Sequence, residues 1–303
     1  MTNFKIIQKR NIWLGVSTVL FGICLAALLT WGLKLGIDFT GGSLLEVKFI
    51  GARPSVNQVE AGLADLKLSS LIVQPVGEQD MMLKFQETKE ETHQAILINL
   101  SELVVKENKD NLVEELRFES VGPSIGQEMK IKSLWAIFFA LIAMLSYITY
   151  AFRKVSKPVA SWKYASAAII AMFHDAIITV GIFSILGRFY NIEINIAFVA
   201  AILTVIGYSV HDSIVVFDRT RENLPKSNED FEGTVNTSLN QTLVRSINTS
   251  LTSLLVLLAI IIFGGSSIRP FVLALAIGIF AGTYSSIFVA SPILVVWEKL
   301  GKK

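Results

Sequence analysis

The stretch INIAFVAAILTVIGYSVHDSIVVF, Ile194 to Phe217, decides what kind of protein this is. It is long enough for a helix to cross a bilayer, which takes about 20 apolar residues. Its polar break, His211-Asp212-Ser213, sits near one end. Working outward, further apolar runs cover about 12–33, 134–152, 164–186 and 271–297. Another covers 251–263 and is approached through small polar residues from Ser246. The composition agrees. Charged residues make up 17% and mean hydropathy is +0.56, against about 25% charged residues in soluble domains. The sequence predicts a polytopic α-helical membrane protein with six spans. The net charge of +2 gives no basic excess of the kind nucleic-acid binding needs.

Three regions follow: residues 1–33 with the first span, 34–132 as a domain outside the membrane, and 133–303 with the remaining five spans. The first apolar run begins after Lys5, Lys9 and Arg10 like a signal peptide. It exceeds the roughly 7–15 residues of a signal core and lacks a small-x-small cleavage site, so an uncleaved span is expected. Lysine and arginine in short loops set orientation. They cluster at the N-terminus, at Arg153, Lys154, Lys157 and Lys163, at Arg219, Arg221, Lys226 and Arg245, and at Lys299, Lys302 and Lys303. The opposite short loops hold only Arg188 and Arg269. Both termini and a loop over 218–246 are therefore expected to be cytoplasmic, and 34–132 extracytoplasmic.

The outside domain reads as α/β. Ser43–Ile50 alternates apolar and polar residues, as a half-buried strand does. Ser55-x-x-Gln58 is a capping-box pattern that starts a helix through about Leu66, and Thr88-x-x-Glu91 starts a second through about Lys106. Strands are expected at Leu71–Val76, Met81–Phe85 and Leu112–Val121. The order β-α-β-β-α-β is that of a ferredoxin-like fold. With no catalytic cluster, the domain reads as a binding or lever element, not an enzyme. The single cysteine, Cys24, cannot form an internal disulfide. His93, His174 and His211 are scattered, so no metal site is expected.

Polar residues inside spans are the functional candidates, because a charge at mid-membrane costs at least about 2.5–3.5 kcal/mol. Val205, Tyr208, Ser209, Asp212 and Val216 share one helix face. Tyr208 and Ser209 can thus reach the Asp212 carboxyl as hydrogen-bond donors. Such a carboxyl can load and release protons, or clasp two helices together. His174 and Asp175 lie near the middle of the third span and point about 100° apart, so they need not touch. Relay and inter-helix bonding are evenly matched there. Arg245 is either an interfacial anchor or the counter-charge of Asp212. Gly41-Gly42, between span and domain, suits a hinge or a tight turn into the first strand. Asn-x-Ser/Thr matches at Asn236, Asn240 and Asn248 fall on the expected cytoplasmic side and carry no weight as glycosylation sites.

Four segments resemble one family: LGIDFTGG at 35–42, HDAIIT at 174–179, GYSVHDSIVVFDRTREN at 207–223 and QTLVRSINTS at 241–250. In order and placement they are similar to the SecD/SecF family, accessory subunits of the bacterial Sec translocon within the RND superfamily, and to its SecF branch in particular. The resemblance spans the whole chain. It implies a heterodimer with SecD forming a twelve-span unit in the bacterial inner membrane. That unit is driven by the proton gradient without a cofactor, and its outside domains move to pull or release an unfolded preprotein. It also implies contact with the SecYEG channel, with SecA indirectly, and with YajC and YidC as further candidates. Carried over by motif, Asp212 becomes the proton-carrying carboxylate and Arg245 its charged partner, with Tyr208, His211, His174 and Asp175 in the same proton-coupling set. Asp38, Thr40, Gly41 and Gly42 form the motif after the first span. His211 departs from the family pattern, where asparagine is common.

Two other functions compete. A small-molecule or lipid exporter of the RND class needs an outside cleft of about 300 Å³ or more, for which so small a domain leaves little room. A non-motor scaffold has no need of an ionisable Asp212.

Overall fold

The computed structural model describes residues 4–86, 88–107, 111–151 and 160–300. Arg153, Lys154, Lys157, Lys302 and Lys303, counted above for orientation, lie outside the described residues. In chain order the elements are α1 (Arg10–Trp31), α2 (Ile37–Thr40), β1 (Gly42–Ile50), α3 (Val56–Gly62), β2 (Ile72–Val76), β3 (Asp80–Phe85), α4 (Glu90–Glu107) and β4 (Leu112–Val121). There follow α5 (Pro123–Ala151), α6 (Ser161–Tyr190), α7 (Ile196–Asn223), α8 (Phe231–Phe263), α9 (Arg269–Ser285), a π-helical turn (Ser286–Ala290) and α10 (Ser291–Leu300). Two compact units result: Met1–Lys34 with Trp135–Lys303, and Leu35–Leu134.

The first unit is helical, and among the described residues six helices are long and apolar enough to cross a membrane. They differ in how far the protein covers them. The most apolar windows of α6, α7 and the last span are 50%, 56% and 61% buried, whereas those of α1, α5 and α8 are 17%, 6% and 17% buried. The first three therefore form the interior, and the others present most of their surface outward. Small residues let the interior close up. A Cβ at Gly181 would lie 2.4–2.7 Å from Cys24 Cβ, O and Cα, so α6 meets the backbone of α1 there. A Cβ at Gly278 would lie 2.0 Å from Val205 Cγ2, so α9 meets α7. Such close approach is how helices associate in lipid, where apolar burial drives nothing.

The expected loop over 218–246 is mostly helix, and only the segment between Asn223 and Phe231 separates α7 from α8. Hydropathy missed this because those turns are polar yet internally satisfied. Thr220, Ser238 and Thr242 donate to carbonyls four residues back. Arg219–Glu222 and Arg221–Asp218 pair at i,i+3, and Asp230 caps α8 by accepting from Gly233 N at 2.8 Å. Likewise α5 starts at Pro123, a full turn and more before the apolar run.

The second unit is a four-stranded antiparallel sheet in the order β2-β3-β1-β4. β3 lies between β1 and β2, the split βαβ arrangement of the expected ferredoxin-like fold. β3 alternates inside and outside along its length because successive side chains leave opposite faces. Leu45, Val47, Phe49, Met81, Leu83 and Phe85 of the sheet pack against Val59 of α3 and Ile96, Leu100 and Val104 of α4. The Ser55–Gln58 capping box is present. Its α-helix stops at Gly62 and gives way to a 3₁₀ turn at Ala64–Leu66, where the sequence predicted one continuous helix. A bulge between Glu46 and Val47 leaves Leu116 of β4 unpaired. That extra residue returns both Glu115 and Phe118 to the positions opposite Val47 and Leu45.

Candidate functional site

Among the described residues of the first unit three acidic side chains are buried: Asp175 on α6, Asp212 on α7 and, near the end of α10, Glu298. Asp175 is fully buried. Ser209 Oγ of α7 donates to its Oδ2 at 2.5 Å, and Ser285 Oγ, the last residue of α9, donates to the same oxygen at 2.6 Å. His174 Nδ1 lies 2.9 Å from Oδ1. Adjacent residues on a helix diverge, yet the imidazole folds back to reach its neighbour. Its Nε2 is buried with no hydrogen-bond partner among the described residues.

Asp212 is 8% exposed. Ser246 Oγ of α8 donates to Oδ1 at 2.7 Å, and Ser286 Oγ donates to Oδ2 at 2.5 Å. Asp212 therefore ties α7 to α8 and to the last span, while Asp175 ties α6 to α7 and to the same span. Ser285 and Ser286 are consecutive, and the change from α to π helix falls between them. Ser291 Oγ donates to Ser286 O at 3.1 Å, five residues back, which helps satisfy the widened turn. π turns of this kind concentrate at functional sites.

Several expected contacts are made differently. Ser209 bonds Asp175, not Asp212. Tyr208 OH lies 3.1 Å from Ser250 Oγ of α8, which in turn lies 2.5 Å from Thr283 Oγ1 of α9, so Tyr208 also serves a neighbouring pair. The reason is geometric: residues three and four apart share a helix face, but their side chains meet whatever helix stands opposite each turn. Arg245 is exposed, and among the described ion pairs none joins it to Asp212. It precedes Ser246, the residue that does reach the carboxylate, and so leaves α8 about 100° away. His211 is exposed for the same reason, one position from buried Asp212. Sequence reasoning missed Ser285 and Ser286 altogether. The signal was a serine pair inside an apolar run, visible but unremarkable in a bundle where serines are common.

Gly41 and Gly42 have φ of +76° and +116°. A Cβ on Gly41 would sit 2.7 Å from Pro123 Cα, and one on Gly42 2.8 Å from Phe85 O. Both positions exclude side chains on two counts, conformation and space, and make a packed turn into β1. Thr40 Oγ1 donates to Gly36 O at 3.1 Å, closing the single-turn helix α2 that holds Asp38 in its first turn. Among the described residues no group of three or more His, Cys, Asp or Glu side chains comes together as metal ligands would.

Residues 101–300 match the family model for the protein export membrane protein SecD/SecF, C-terminal, and residues 26–49 match that for the SecD/SecF GG motif. The chain is similar to the protein translocase subunit SecF of Thermobaculum terrenum, with 47% identity over 283 residues covering 89% of this chain and 86% of that one. Its likeness to the same subunit of Haemophilus influenzae is 38% identity, covering 96% of this chain and 84% of that one. Among solved structures it is similar to SecDF, a translocon-associated membrane protein of Thermus thermophilus, at a TM-score of 0.81 and 32% identity. That match covers 98% of this chain and 39% of the longer one. Against SecDF in a super-membrane-facing form the TM-score is 0.69, with 100% and 40% covered.

Proposed function

This chain belongs to the SecD/SecF family of protein export membrane proteins, and on that premise we propose that it is the SecF-type subunit of a Sec translocon accessory complex. It is a multi-pass membrane protein, and the reading places both termini in the cytoplasm of a bacterial inner membrane with 34–132 outside. Its first partner is a SecD-type chain, and the pair acts beside the SecYEG channel on an unfolded preprotein. SecA behind the channel, with YajC and YidC beside it, belongs to the same reading. The energy source is the proton gradient, with no cofactor and no covalent chemistry.

One observation carries the proton part: two buried carboxylates, Asp175 and Asp212, are each held by a pair of serine hydroxyls. An ionised carboxylate is an acceptor only, and it can take every one of those donations. Protonation turns one carboxylate oxygen into a donor, so one hydroxyl must rotate away or accept instead. Loading a proton onto either group therefore changes which helices are tied together. Because Ser285 and Ser286 adjoin, both changes are felt at one point of the last span. Moving one charge across 100 mV is worth about 2.3 kcal/mol, so a few protons suffice to bias such ties. A pure clasp would need no ionisable group.

The test uses Asp212→Asn in spheroplasts, with co-purification of the SecD-type partner confirming assembly. Gradient-dependent release of an exported protein is expected to fall at least about tenfold, a loss of roughly 1.4 kcal/mol of coupling or more. Unchanged release with intact assembly would make Asp212 a structural clasp and favour the scaffold reading.

A further inference from the structure

A cavity of about 580 Å³ opens beside the start of α1, within the roughly 300–1,000 Å³ range of sites that hold small molecules. Its wall is apolar and its rim is basic. Trp13 of α1, Leu243 and Ile247 of α8 and Phe288 of the π turn form the wall, and Lys5 and Lys9 join them in the lining. Trp13 and Phe288 pack against each other at a tilt of 42°, with ring centroids 4.4 Å apart.

The cations near this end of the bundle are treated unequally. Arg10 pairs with Glu232 at 2.7 Å, and Lys299 pairs with the other oxygen of the same carboxylate. Lys5 and Lys9 are exposed, and neither is in an ion pair among the described residues. Their backbone is nevertheless fixed. Asn236 Oδ1 accepts from Ile6 N at 3.0 Å and Ile7 N at 3.2 Å, and Asn240 Oδ1 accepts from Phe4 N at 2.8 Å. Two unneutralised ammonium groups are thus held at the mouth of an apolar cavity by a pinned segment. Ile247 is 45% exposed and continues the apolar wall outward. The Trp13 indole N–H, on a residue of the same wall, is buried without an acceptor among the described residues.

We propose that this cavity binds an anionic phospholipid, with Lys5 and Lys9 on the phosphate-bearing headgroup and the upper acyl chains against Leu243, Ile247 and Phe288. A soluble anion has no use for the apolar wall, and a zwitterionic lipid offers less to two unpaired cations. Basic pockets between spans are the recurring form of lipid headgroup sites. Pinning by Asn236 and Asn240 lowers the ordering cost of binding, since the lysine-bearing segment is already in place. The proposal rests on the six-span architecture and is independent of proton coupling, so failure of the Asp212 test leaves it standing.

The experiment uses the full chain in phosphatidylcholine nanodiscs, with Trp31, Trp135, Trp162 and Trp297 replaced by Phe so that Trp13 alone reports. Brominated phosphatidylglycerol is expected to quench Trp13 at a lower mole fraction than brominated phosphatidylcholine does, by about fivefold for each lysine engaged. Lys5→Gln with Lys9→Gln removes that preference, while Arg10→Gln, which breaks an internal ion pair, preserves it. Equal quenching by the two lipids, or a preference that survives loss of both lysines, overturns the proposal. Should the tryptophan replacements fail to fold, native mass spectrometry of the unaltered chain gives the same decision. Retained phosphatidylglycerol that disappears in the double lysine variant supports the site, and retention unaffected by it refutes the site.

Discussion

Phe49 and Asp175 are both almost wholly buried, one in the α/β unit and one among the spans, and opposite kinds of atoms surround them. Phe49 sits with Leu45, Val47, Met81 and Leu83 in an apolar cluster. Asp175 sits among Ser209, Ser285 and His174. The contrast follows from the solvent each unit meets. In water, moving apolar surface inward is the main driving force. In lipid, apolar surface is content outside, as Leu29 at 78% and Phe263 at 86% exposure illustrate. Helices are then held by close backbone approach and by hydrogen bonds.

The comparison can be broken at four places. Phe49→Ala is expected to destabilise the α/β unit by about 3–5 kcal/mol, read as faster hydrogen exchange of β1 and β3 amides in the full chain. Gly181→Ala drives a methyl onto the α1 backbone at Cys24 and is expected to cost up to about 3 kcal/mol, an overpacking loss that no side-chain trimming relieves. Gly278→Ala meets the side chain of Val205 first, so adding Val205→Ala should restore the thermal stability lost by the single change. If Gly278→Ala alone is silent, tight packing is not what holds α7 to α9. Ser246→Ala removes one hydroxyl from Asp212 and should cost only about 0.6 kcal/mol, at most near 1.7, in stability. A loss as large as that of Phe49→Ala would show that the polar interior is a structural core after all.

The smallest effect lies in the α/β unit. Hydrogen bonds from Gln94 and His93 hold the Glu90 carboxyl below its ordinary value of 4.5. A lowered folded value means stability that is present above the unfolded value and lost as pH falls through the folded one. Glu90→Gln should therefore lower the melting temperature slightly at neutral pH, and the gap from the parent should close as acid takes the pH down through the lowered folded value. A gap that persists in acid would assign the effect to packing of the side chain, not to its charge.

Much of this was legible in the sequence, for identifiable reasons. Spans are set by runs of apolar residues, the strands of the α/β unit by alternation, and the start of α3 by Ser55-x-x-Gln58. Asp175 and Asp212 stood out because ionisable groups are costly in lipid. Their partners did not. Which serine serves which carboxylate depends on the rotation of α9 against α6 and α7, and no local pattern encodes it. Arg245, read as either an anchor or the counter-charge of Asp212, is exposed, because it leaves α8 about 100° from Ser246. The polar turns between 218 and 246 read as loop because hydropathy cannot see hydroxyls bonding back to their own helix.

The π turn at Ser286–Ala290 has a consequence for how the last span may be altered. It holds one residue more than an α turn, so everything after it is rotated by about 100° relative to an uninterrupted helix. The two ends of the span are thus phased independently, and a single helical wheel drawn through 269–300 misassigns one of them. Deleting one residue within 286–290 would leave the composition of the span almost untouched while turning α10 as a body. Lys299 would leave Glu232, and Leu294 and Val295, now fully buried, would swing outward. In this span a frame of one residue separates the two faces, much as it does in a strand.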